Sequence, residues 1–83
     1  MTDYGKNFSQ NIRHLRQVYT LTQREMAQIL GISAGTLGRI ERGGTVRIHS
    51  GMLYRICDHF RLSVDAILCE NWSEILSNRY RIE

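Results

Sequence analysis

The stretch TQREMAQILGISAGTLGRIER, from Thr22 to Arg42, sets the reading of the whole chain. Thr22 followed three residues later by Glu25 is the pattern of a capping box, and Met26, Ala27, Ile29 and Leu30 form an apolar stripe at helical spacing. Gly31 ends that helix, because glycine enters the left-handed conformation of a helix C′ position without steric cost. Ile32 reads as the buried residue of a turn. Ser33 caps a second helix, on which Leu37 and Ile40 repeat toward the same core while Ala34, Gly35, Thr36, Gly38 and Arg39 are left facing out. The prediction is a helix-turn-helix, whose second helix has the size and polarity to enter a DNA major groove.

Outward from this centre lie Leu15-Arg16 on one side and Leu53, Ile56-Cys57, Phe60, Leu62-Ser63-Val64-Asp65 and Ile67-Leu68 on the other. Together with Gln23, Met26-Ala27, Gly31-Ile32-Ser33, Thr36-Leu37, Arg39-Ile40-Glu41 and Gly43, they resemble the Cro/phage-repressor-like helix-turn-helix family, also called the xenobiotic-response-element (XRE) family. The resemblance covers residues 8 to 69. It implies an all-α, five-helix, lambda-repressor-like DNA-binding bundle and a sequence-specific transcriptional regulator, with a repressor as the default role. It also implies groove-facing positions at Ser33, Ala34, Gly35, Thr36 and Arg39, a DNA-backbone contact from Gln23, and flanking backbone contacts from Arg42, Thr45 and Arg47. Arg16 would pair with Glu41 and tie the first helix to the end of the recognition helix; the plainer reading is a solvated helix charge. Double-stranded DNA carrying an inverted repeat is the implied partner, bound by a homodimer.

Among these positions Arg39 is the strongest candidate for direct readout, since its fork of donors matches the O6 and N7 edge of guanine, a match worth about 1–3 kcal/mol in discrimination. Thr36 suits a phosphate or a thymine methyl. Ala34, Gly35 and Gly38 present almost no side chain where better-known members carry glutamine, arginine or serine. Either the helix approaches the bases closely, or readout rests on Arg39 and DNA shape, or a protein partner has taken over from DNA.

The 83 residues suit one small domain with a single helical core. The net charge is +3, and all but one of the 11 basic residues are arginine, which suits phosphate and guanine, although charge also serves solubility alone. Absence of proline and of alternating β-branched runs argues for helices. No apolar run approaches the ~18 residues of a membrane span, and the first ten residues, MTDYGKNFSQ, lack a signal-peptide core, so a cytoplasmic location is expected. Cys57 and Cys69 show no disulfide or metal spacing and read as reduced thiols in or near the core.

In chain order, residues 1–6 read as a flexible leader, 7–69 as the helix-turn-helix domain and 70–83 as an amphipathic extension. Phe8, Ile12, Leu15 and Tyr19 draw one face of a first helix, with Asn7 or Ser9 as its cap. After the Gly43-Gly44 loop, Ile48, Met52, Leu53, Ile56 and Phe60 mark a fourth helix capped at His49 or Ser50. Ser63 caps a fifth, with Val64, Ile67 and Leu68 inward. In the extension, Trp72, Ile75 and Leu76 share one side of a candidate further helix. That stripe either folds back on its own core or forms a dimerisation face, because a small domain rarely leaves such residues exposed together.

No catalytic residues emerge. His14, His49 and His59 are dispersed, Cys57-x-His59 lacks further metal ligands, and Gly43-Gly44 lacks the strand and lysine of a phosphate-binding loop, so neither a metal nor a cofactor is expected. The competing function is a protein-interaction module, such as an antitoxin or a phage-regulator accessory with weak DNA binding.

Overall fold

A computed structural model describes residues 3–44 and 47–72. It is all-α: α1 (Tyr4–Val18), α2 (Gln23–Leu30), α3 (Ala34–Glu41), α4 (Ser50–Phe60) and α5 (Val64–Cys69). Each helix is started by a side-chain cap: Asp3, Thr22, Ser33, His49 and Ser63 each accept a backbone N–H of the first turn. At Thr22 the box is complete, with the Glu25 amide donating to Thr22 Oγ1 and the Thr22 amide donating to Glu25 Oε1 at 2.8 Å.

Four helices end on the same device. The chain turns left-handed at Thr20, Gly31, Gly43 and Arg61, and the next amide donates back to the carbonyls of Arg16, Ala27, Arg39 and Cys57 respectively. At Gly43-Gly44 the approach is close enough that a Cβ on Gly44 would lie 3.1 Å from the Arg39 carbonyl oxygen. α5 ends without such a left-handed residue, its C-cap Glu70 being extended. Its last carbonyls are taken by α1 instead: Asn7 Nδ2 donates to Leu68 O at 2.9 Å, and Asn11 Nδ2 donates to Ile67 O and Glu70 O at 3.0 and 2.6 Å. A six-residue helix cannot persist alone, so this cross-fold capping and the burial of Ile67 are what hold it.

The core takes residues from every helix: Phe8, Ile12 and Leu15 from α1, Met26, Ala27 and Leu30 from α2, Leu37 and Ile40 from α3, Met52 and Ile56 from α4, and Ile67 from α5. Each large apolar side chain fully removed from water contributes about 1.5–3 kcal/mol. α1 packs on α5 and α3, while α2 packs on α3 and α4, so the helix-turn-helix is clamped from behind by both flanking helices.

Several expectations need correction. α1 begins at Tyr4 under an Asp3 cap, which places the helix start inside the supposed leader; Asn7 caps α5 across the fold rather than its own helix. Tyr19 lies beyond the end of α1 and is 55% exposed, its ring against Phe60 at 5.0 Å. Ile48 precedes α4 rather than forming part of it. Val64 is exposed at the first position of α5, while Ile67, one turn on, is the residue that enters the core. Gly38 is buried, not outward, since the Arg42 guanidinium folds over it. Among the described residues no helix is long and apolar enough to cross a membrane.

Candidate nucleic-acid interface

α3 owes its outward face to the two inward anchors Leu37 and Ile40, which fix its rotation about its own axis. That leaves Ala34, Gly35 and Arg39 exposed along one side, with exposed Arg42 as the C-cap. Ser33 is exposed at the N-cap: the Thr36 amide donates to its Oγ at 3.1 Å, and its hydroxyl donates to Thr36 Oγ1 at 2.9 Å. The Ser33 and half-buried Thr36 hydroxyls are thus paired with each other at the start of the exposed face. A Cβ on Gly35 would meet nothing closer than Ser33 Oγ at 4.0 Å, so this part of the face is open and shallow.

Glu41, at the other end of α3, collects donors from two helices. Arg16 Nε reaches Oε2 at 2.7 Å, and Arg16 Nη2 reaches Oε1 at 3.0 Å. Gln23 Nε2, from the first residue of α2, reaches the same Oε1 at 3.2 Å. Arg16 Nη1 also donates to Leu21 O at 3.1 Å, so one guanidinium ties α1, the turn before α2 and the end of α3. The hydrogen bond to Glu41 holds the Arg16 pKa above its ordinary value, outweighing a desolvation that acts the other way. Gln23 thus stands beside the C-terminal end of α3 with its amide anchored.

Arg39, Arg42 and Arg47 are exposed, and among the described residues the only ion pair is Arg16–Glu41, so these three cations face solvent without a carboxylate partner. Thr45, Ile75 and Leu76 lie outside the described residues. Trp72 is half-buried on its own domain: its amide donates to Asn11 Oδ1 at 3.0 Å and its ring meets His14 edge-on at 6.5 Å.

Asn11 went unnoticed in the sequence, although the signal was there. It sits three residues after Phe8 and beside Ile12, a polar residue at a core-facing position of α1, and it is fully buried with both donors and its acceptor used. The Leu21 carbonyl arm of Arg16 had no signal, since a backbone acceptor leaves no trace in residue type. Burial pushes the pKa of the Cys57 thiol up from its ordinary value. Among the described residues no three His, Cys, Asp or Glu side chains stand together as metal ligands would.

A family model described as a helix-turn-helix domain matches residues 8–67. Antitoxin PezA of Streptococcus pneumoniae serotype 4 (strain ATCC BAA-334 / TIGR4) is 39% identical over 61 residues, which are 74% of this chain and 38% of that protein. The chain therefore spans well under half the length of this relative. No solved structure matches significantly. With the match running from α1 through most of α5 and the turn, caps and core all in place, the chain belongs to the helix-turn-helix domain family, in its Cro/XRE-like branch.

Proposed function

We propose that the chain is a sequence-specific double-stranded DNA-binding regulator, acting as a repressor, that lays α3 in the major groove. The observation that carries this reading is the exposed face of α3. Arg39 stands unpaired among the described residues above the small residues Ala34 and Gly35, on a helix whose orientation is locked by Leu37, Ile40 and the Arg16–Glu41 pair. Arg39 reads guanine, and the short side chains let the helix backbone approach the base edges. Ser33 and Thr36 supply further groove contacts. Gln23, at the positive end of α2 and beside the C-terminal end of α3, meets the phosphate backbone there together with Arg42, Thr45 and Arg47, and these contacts set register without reading sequence.

Two copies, joined through the part of the extension that carries Ile75 and Leu76, with Trp72 packed on its own domain, would read the two halves of an inverted repeat about one helical turn apart. Selection of the chain against a randomised duplex library at near-physiological salt tests the reading. Enrichment of an inverted repeat supports it, and failure to bind duplex at all removes it.

A second reading, a protein-interaction role accompanied by weak DNA binding, is favoured by one observation: the similar pneumococcal protein is named an antitoxin. Salt separates the two, because counterion release makes DNA affinity fall steeply with ionic strength and an apolar protein contact does not respond in that way.

A further inference from the structure

A groove runs between the N-terminal half of α1 and the end of α3. Phe8 and Ile40 form its floor, Lys6 and Arg13 line the α1 side, and Arg42 with the Gly43-Gly44 turn lines the other. Lys6 and Arg13 are seven residues apart, two helical turns, so they project from one face of α1 about 10 Å apart along its axis. Two carboxylates also line the groove, and both are already engaged. Asp3 accepts the Lys6 backbone amide at 3.0 Å as the cap of α1, and Glu41 is held by Arg16 and Gln23. Lys6, Arg13 and Arg42 are all exposed, and none has an ion-pair partner among the described residues. With the Glu41 charge balanced by Arg16, three cations stand against the single charge of Asp3, and the groove is net positive.

We infer that this groove is a phosphate track: Lys6 and Arg13, acting with Arg42, hold the sugar-phosphate backbone that passes the C-terminal end of α3. The phosphodiester matches the donor set, since arginine supplies a fork and lysine a point charge to the same oxygens. The placement follows from the chain, because Arg42 and Gly43 leave α3 directly into the groove, three residues beyond Arg39. α1 thereby becomes part of the binding surface as well as of the core. The inference rests on the proposed DNA-binding reading for its source of phosphate; free phosphate ion has the same chemistry.

The test compares the full chain with its Lys6→Gln/Arg13→Gln variant on one duplex across a salt series. Loss of two phosphate contacts lowers the slope of log affinity against log salt by about 1.8, with the preferred sequence unchanged. An Arg55→Gln/Arg61→Gln variant carries the same change in net charge on exposed residues that do not line the groove. An unaltered slope in the first variant, or an equal fall in both, overturns the track. If the unmodified chain binds no duplex, the DNA-binding reading fails separately, and titration with inorganic phosphate decides the site. Saturable amide shifts at Lys6, Arg13 and Gly43 keep it as a free-phosphate site, and their absence removes it.

Discussion

Arg16 grips Glu41 side-on, Nε to Oε2 at 2.7 Å and Nη2 to Oε1 at 3.0 Å, across 25 residues of chain. The two side chains are 21% and 5% exposed, so removal of the arginine leaves a nearly buried carboxylate without its counter-charge. Arg16→Ala should therefore cost about 2–3 kcal/mol in urea unfolding, below the range for a fully buried pair because Arg16 retains some water. Arg16→Lys should recover only part of this, since an ammonium cannot supply the fork or the third bond to Leu21 O. The pH dependence has a definite sign. A cation whose folded pKa is raised contributes its stability fully below its unfolded pKa and loses it only as pH rises through the higher folded value, so the cost of Arg16→Ala should be constant between pH 7 and 10.

Asn11→Ala should destabilise the fold by about 2–4 kcal/mol, because it strands the Trp72 amide and the carbonyls of Ile67 and Glu70 together. Asn11→Asp should cost at least as much, since it sets a carboxylate oxygen against the two carbonyls where the amide had donated. Trp72 is the sole tryptophan, so its fluorescence reports the local change, and equilibrium unfolding gives the size.

Thr20→Gly should stabilise the chain. Thr20 is an exposed β-branched residue at φ 52°, in the left-handed turn that ends α1. Glycine relieves about 1–2 kcal/mol of steric cost and returns about 0.5–1 kcal/mol as unfolded-state entropy. A net gain of about 0.5–1 kcal/mol would raise Tm by a few degrees in a domain of this size, measurable by calorimetry. An unchanged or lower Tm would show that the turn holds threonine without strain.

Gly35→Ala should separate folding from binding. The added methyl enters open space on an exposed helix face and should stabilise α3 by about 0.5–1 kcal/mol. If α3 lies close against base edges, the same methyl should weaken duplex affinity at least tenfold while Tm rises. Higher Tm with undiminished affinity would mean that specificity rests on Arg39 and DNA shape.

What was readable in the sequence was local. The capping box at Thr22, the stop at Gly31, the Ser33 and Ser63 caps and the 3.6-residue apolar period each act within a few residues, so residue type and spacing determine them, and with them the all-α class and the helix-turn-helix. Tertiary packing decided the rest, because burial and hydrogen-bond partnership are properties of pairs distant in the chain. Asn7 looks like a local cap and serves α5 61 residues away. Gly38 falls on the outward side by its spacing, yet Arg42 covers it, since a long side chain can fold back over any neighbour that lacks one. The carboxylate of Glu41 gathers Arg16 and Gln23 at one point only after α1, α2 and α3 have packed, and that convergence sets which face of α3 remains for a partner.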